Sequence, residues 1–156
     1  MSDPEFVYVT FIETTQRRLW QALTMPEFTR QYWFDRAVES DFEVGSPISY
    51  RYDDGRKVDI AGQILAASPP RLLSYTFLLD GRPDEKPSRV TFESEQVGKV
   101  VKLTVTHDQF EPGSPTLPDV SNGWPEILCA LKTLLETGRA MPLDWSALGS
   151  ADTQRA

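Results

Sequence analysis

The chain has 156 residues and a formal net charge of −7, from 16 basic against 23 acidic side chains, which is the length of one ordinary domain. The basic residues are scattered among the acidic ones, so no basic face is offered to a nucleic-acid backbone or to an anionic membrane surface. One cysteine (Cys129) and one histidine (His107) cannot by themselves build a disulfide or a zinc site, so the residues imply no metal and no cofactor.

Leu, Ile, Val and Phe make up about a quarter of the chain, enough for a real core. No apolar run approaches the roughly 18 residues that a membrane span requires. The opening MSDPEF is acidic and broken by proline, without an apolar signal segment behind it, and the lone cysteine fits a reducing compartment. The expectation is a cytoplasmic protein.

Residues 5–12, EFVYVTFI, are aromatic and β-branched and predict a strand. Thr14 or Thr15 is placed to cap a helix over 15–24, with Leu19, Trp20 and Leu23 on one apolar stripe and Gln16, Arg17 and Gln21 facing away. Pro26 opens a short second helix, PEFTRQYW. From residue 37 the period changes to two. AVESDF is a short strand; ISYRY places Ile48, Tyr50 and Tyr52 on one face. Asp53-Asp54-Gly55-Arg56 turns the chain, the Asp-Gly step supplying positive φ. VDIAGQILAAS returns as a long strand, and Ser68-Pro69-Pro70-Arg71 is the next turn. LLSYTFLL puts Leu73, Tyr75, Phe77 and Leu79 on one side. After the polar loop DGRPDEKPS, RVTFESE and KVVKLTVTH form a hairpin around Val97-Gly98. Val90 and Phe92 share a face, as do Val101, Leu103, Val105 and His107, so one side of the sheet is buried and one is wet.

The last predicted element is a helix capped by Ser121 or Asn122 and ended by Gly138, with Pro125 in its first turn. Trp124, Ile127, Leu128, Leu131, Leu134 and Leu135 form a wide apolar stripe, and only the apolar face of the sheet is large enough to cover it. The order is one strand, two short helices, six antiparallel strands and one long helix. A sheet of about seven strands curls, and the long helix laid across it gives an α+β layer fold.

Several runs resemble the Activator of Hsp90 ATPase homologue type of START-like domain, in the SRPBCC superfamily. Ile12-Glu13-Thr14 with Leu19 to Pro26 (LWQALTMP) is similar to that family's opening. Tyr32-Trp33 resembles its aromatic pair, and Ser68 to Phe77 (SPPRLLSYTF) its proline-led strand. Thr106-His107-Asp108-Gln109-Phe110 is similar to its "T-H-x-G-F", with Gln109 in place of the usual Gly. Gly123-Trp124-Pro125 and Leu131 to Gly138 (LKTLLETG) resemble its ending. Asn122 stands where the family has the first Gly of its "GGW", and Phe77 where it has Trp. The resemblance covers about residues 5–138. It implies a helix-grip fold: a curled antiparallel sheet of about seven strands around the C-terminal helix, with two short helices after the first strand. Residues 1–140 are then one domain and 141–156 a tail expected to fray.

Many relatives in the superfamily hold an apolar ligand between sheet and helix. On that basis the candidate ligand-binding residues are Trp33, Tyr50, Tyr75, Phe77, Phe92, Leu103, Val105, His107, Trp124, Leu128 and Leu131, each of which has a plain core reading beside it. His107 is either a polar anchor at a cavity mouth or a histidine bonded to loop backbone that holds a corner. Cys129, at the flank of the helix stripe, is expected to be buried and inert. Asp53-Asp54 and Asp84-Glu85 are expected in solvated turns, Asp59 and Glu93 on the outer face, and no residue is assigned a catalytic role. The leading expectation is a non-enzymatic binder of a small apolar or lipid-like molecule. A chaperone-interaction module in the stress response, as the family description implies, is the second. A cyclase- or hydrolase-type enzyme using the same cavity is the third. A homodimer, through a sheet edge or through the Met141-Pro142-Leu143-Asp144-Trp145 segment, fits all three.

Overall fold

Seven stretches of alternating burial are strands, because each carries β-branched or aromatic side chains on the side that meets a helix layer. The computed structural model describes residues 4–82 and 84–144. The strands are β1 (Phe6–Ile12), β2 (Ala37–Ser40), β3 (Pro47–Tyr52), β4 (Lys57–Ser68), β5 (Leu72–Leu79), β6 (Ser88–Val97) and β7 (Val100–Asp108). The helices are α1 (Gln16–Thr24) and α2 (Pro26–Tyr32), between β1 and β2, and α3 (Thr116–Thr137) at the end. This is the expected α+β arrangement, a seven-stranded antiparallel sheet with a long C-terminal helix.

The sheet order is β1-β7-β6-β5-β4-β3-β2. Six strands follow one another as hairpins, and β1 reaches across the chain to pair with β7, Phe6 opposite His107 and Ile12 opposite Val101. The buried side of β5, β6 and β7 carries the predicted residues. Leu73, Tyr75, Phe77, Val90, Phe92, Val101, Leu103, Val105 and His107 are all buried. From α3 the buried stripe is Trp124, Ile127, Leu128, Leu131 and Leu134.

α1 is capped by Thr15, whose side chain accepts from the Arg18 N–H. Its Leu19 and Leu23 are buried as expected. Gln16 departs from expectation. It is half-buried, and its amide donates to Ser94 while its backbone N–H donates to the Gln96 side chain, tying α1 to β6. α2 stops at Tyr32, and Trp33 is its C-cap.

α3 begins at Thr116, earlier than the sequence signals predict, so Pro125 lies inside the helix rather than in its first turn. Pro115 occupies the cap position without a capping side chain, and Pro118 sits in the first turn, where a missing N–H costs nothing. The start is secured from outside the helix. Ser114 and Thr116 hydroxyls donate to the Glu85 carboxylate, and Arg82 donates to Thr116 Oγ1 at 3.0 Å and to Asp119 Oδ2 at 2.5 Å. Glu85 is thus an anchor for α3, not a solvated turn residue. Cys129 is exposed, also against expectation. One residue along a helix is a rotation of about 100°, so the step from Leu128 carries Cys129 off the buried stripe toward the Tyr8 hydroxyl, 3.8 Å away. The frayed tail predicted for 141–156 lies mostly outside the described residues; Met141 packs partly on the core. No helix among the described residues is long and apolar enough to cross a membrane.

Candidate functional site

The long helix does not fill the curl of the sheet. A cavity of about 320 Å³ remains between the N-terminal half of α3, the segment after α2, and the β4–β5 hairpin. Its floor is aromatic and buried: Trp33, Phe77 and Trp124. Ile60, Leu79, Val120 and Ile127 make its walls, and Gly123 adds no side chain to the α3 side. Four charged residues, Asp35, Arg36, Asp59 and Asp119, ring it.

Each wall has a local cause. Trp33 closes α2 by donating its N–H to the Thr29 carbonyl at 2.8 Å. Phe34 and Asp35 then take left-handed backbone conformations, φ 47° and 59°, which non-glycine residues adopt at a cost of roughly 1–2 kcal/mol each. The resulting tight turn is closed by the Arg36 N–H on the Trp33 carbonyl at 2.8 Å. It sends the Arg36 guanidinium back over the Tyr52 ring, 4.0 Å from its centroid, and onto Asp59 Oδ2 at 3.0 Å.

Asp59 corrects the expectation that alternation turns it outward. In the β3–β4 pairing Tyr50 faces Ile60 and Arg51 faces Val58, so Asp59 is the extra residue of a β-bulge. A bulge breaks the period of two and re-aims one side chain. Asp59 is therefore half-buried at the cavity beside Ile60, whereas Glu93 is exposed as expected. Asp53 and Asp54 stand in the β3–β4 turn, paired with Arg56.

Behind the floor lies a directed hydrogen-bond chain. The Trp124 indole N–H donates to His107 Nδ1 at 3.0 Å. An indole nitrogen can only donate, so Nδ1 is the bare acceptor and Nε2 carries the proton. Nε2 lies 2.7 Å from Ser88 Oγ, which in turn donates to the Phe77 carbonyl at 3.2 Å. Burial pushes the His107 imidazole down to about 3, Asp108 opposing it only partly. The ring is neutral and both its nitrogens are engaged. His107 thus holds a corner, but through side chains of β6 and α3 rather than through loop backbone. A second buried pair, the Tyr50 and Tyr75 hydroxyls 2.7 Å apart, sits deeper. Burial raises both phenols far above the ordinary range, so both are neutral.

Of the eleven candidate residues, Trp33, Phe77 and Trp124 line the cavity. The structure places Tyr50, Tyr75, Phe92, Leu103, Val105, Leu128 and Leu131 in the packed core around it, with His107 buried as well. Trp33 stacks on Tyr50 at 4.2 Å, and Trp124 meets Phe92 edge-on at 5.8 Å, so these core rings support the floor from behind. Sequence reasoning missed Phe34, Asp35, Arg36, Ile60, Leu79, Asp119, Val120, Gly123 and Ile127 as lining residues. Ile60, Leu79 and Ile127 were legible as apolar residues on inward faces. The turn at 34–36 carried no signal, since neither Phe34 nor Asp35 is a glycine.

The sequence pattern described as Activator of Hsp90 ATPase homolog 1-like protein matches residues 13–136. No curated protein matches the chain closely enough to count as a relative. Among solved structures, the chain is similar to the Aha1 dimer from Colwellia psychrerythraea, with a TM-score of 0.73 and 18% identity over 88% of this chain and 99% of that one. An HSP90 activator from Plasmodium falciparum gives 0.71 and 20% over 84% and 95%. A protein from Mesorhizobium loti gives 0.72 and 26% over 85% and 96%. With the family pattern spanning most of the chain and the helix-grip fold shared, the chain belongs to the Activator of Hsp90 ATPase homolog 1-like protein family.

Proposed function

We propose that the chain binds one small, largely apolar molecule between the sheet and α3, without transforming it. The observation that carries this reading is the cavity of about 320 Å³ with a tryptophan-rich floor and aliphatic walls. That volume is at the lower end of the range for small-molecule sites, and an apolar interior with a few polar groups at the rim is their usual composition. The binding rather than catalytic role rests on how the titratable groups are employed. Arg36 is paired with Asp59, Arg82 with Asp119, and both nitrogens of His107 are bonded. A general acid or base needs a free proton position within reach of a substrate.

Native mass spectrometry of freshly purified protein, followed by the same sample denatured, tests the proposal. A mass excess that disappears on denaturation is the expected result. Bare protein from several hosts, together with no rise in Tm across a panel of small apolar compounds, overturns it.

A second reading is an interaction with an Hsp90-type chaperone. The family description and the likeness to a Plasmodium HSP90 activator favour it. It predicts a changed ATPase rate when the protein is added to the chaperone of its own organism, and an unchanged rate sinks it.

A further inference from the structure

We infer that the cavity selects a small aromatic molecule carrying a cationic amine, over neutral and anionic molecules of the same shape. The inference rests on the binding reading above and adds the chemical class of ligand.

Size comes first. A space of about 320 Å³ suits one or two fused rings and is too small for a long acyl chain. The floor comes second. Trp33 and Trp124 meet at 69° with centroids 5.2 Å apart. Indole rings concentrate negative potential on their faces and attract cations most strongly among the aromatic side chains.

Charge at the rim is the third observation. Arg36 is neutralised by Asp59 at 3.0 Å and Arg82 by Asp119 at 2.5 Å. Asp35 is exposed on the rim and makes no ion pair among the described residues. The mouth therefore carries one uncompensated negative charge, on a chain whose net charge is −7. A ligand carboxylate entering here is repelled by the unpaired Asp35, whereas an ammonium group is attracted by it.

The protein already uses this chemistry on itself. The Arg36 guanidinium lies over the Tyr52 ring at 4.0 Å with the Asp59 carboxylate at 3.0 Å. One cation thus occupies an aromatic-plus-carboxylate niche at the same mouth. Asp35, Trp33 and Trp124 bring the same two kinds of group, carboxylate and aromatic ring, to the lining of one cavity.

The test uses three naphthalene probes of one shape: 1-naphthylmethylamine, 1-naphthalenemethanol and 1-naphthoate. Each is titrated into the full chain at neutral pH, with binding followed by the NMR shifts of the Ile60 and Ile127 methyl groups, which line the cavity. The amine is expected to bind roughly tenfold tighter than the alcohol, and the carboxylate most weakly. Asp35→Asn, at an exposed side chain, is expected to narrow the gap between amine and alcohol severalfold and leave the alcohol unchanged. Equal binding of amine and alcohol, tighter binding of the carboxylate, or a preference that Asp35→Asn does not alter, overturns the ligand class and leaves the binding cavity standing. Failure of all three probes to shift those methyl groups overturns the cavity reading as well.

Discussion

His107 shows how the place of one side chain can be legible in a sequence while its partners are not. Strand alternation put it on the inward face, and it is fully buried there. Its partners could not be read from sequence, because Ser88 and Trp124 reach it from two other elements. The neutral, doubly bonded ring has a pH signature. The folded imidazole holds a proton less tightly than the unfolded one, so acid favours the unfolded chain. The stabilisation is complete above pH 6.5 and is lost as pH falls toward the folded value of about 3, by at most about 1.4 kcal/mol per pH unit. His107→Gln keeps one acceptor and one donor but loses the ring contacts with Phe77 and Phe110, both at 4.6 Å. We expect it to cost about 1–2 kcal/mol at pH 7. The gap should close near pH 5, where the wild type has already weakened; urea unfolding at the two pH values checks this. Gln109 is a second residue-scale case. Its φ is 60°, in the left-handed region that favours glycine, so its backbone is strained. Gln109→Gly should stabilise the protein by roughly 0.5–1 kcal/mol, the relief of strain outweighing the entropy that glycine adds to the unfolded chain. Thermal unfolding reads the sign directly.

Element identity was legible almost throughout, because alternation and helical stripes are repeated signals and each element carries several of them. What failed was local. α3 starts at Thr116, yet Pro112, Gly113, Ser114, Pro115 and Pro118 read as loop punctuation. The helix starts there all the same, because Ser114 Oγ accepts from the Thr116 N–H while Glu85 and Arg82, distant in sequence, bond the Thr116 hydroxyl and hold the first turn in place. On β4 the registers shift at Asp59 and again at Leu65. No residue type marks a bulge of this kind, so the inward list was bound to break there. Between the two bulges β4 lies unusually close to β5. A Cβ on Gly62 would stand 1.7 Å from the Thr76 carbonyl oxygen. That obstacle is backbone and cannot swing aside, so Gly62→Ala must separate the strands. We expect a loss of roughly 3 kcal/mol or more, visible as a large drop in the urea midpoint. An unchanged midpoint would show that the hairpin is more pliable than its geometry suggests.

At the scale of the molecule, the layer order was legible and the cavity was not. The helix stripe and the sheet face are both apolar, and nothing in a linear pattern says how well two curved surfaces meet. The void lies where Gly123 and Val120 face Phe77 and Ile60, and its position depends on the strained turn after α2. The sheet's outer edge is a second global feature. β1 has no charged side chain, and Val7, Val9 and Phe11 are each about half-exposed on it. Such an edge invites pairing with another chain. α3 guards one end: Lys132 donates to the Phe11 carbonyl at 2.6 Å, and Glu136 accepts from the Glu13 N–H at 2.9 Å. Lys132→Ala should speed amide exchange at the end of β1 and raise self-association in sedimentation, with little change in Tm; unaltered exchange would mean the lysine is incidental. The pairing of β1 with β7 also sets an order in time. Phe6 waits for His107, so about a hundred residues must leave the ribosome before the first strand finds its place. At common rates of synthesis that is several seconds with FVYVTFI uncovered. The rest of the sheet can zip as successive hairpins meanwhile, and closing it is the long-range step. The strand that is made first is therefore the last of the seven to find its partner.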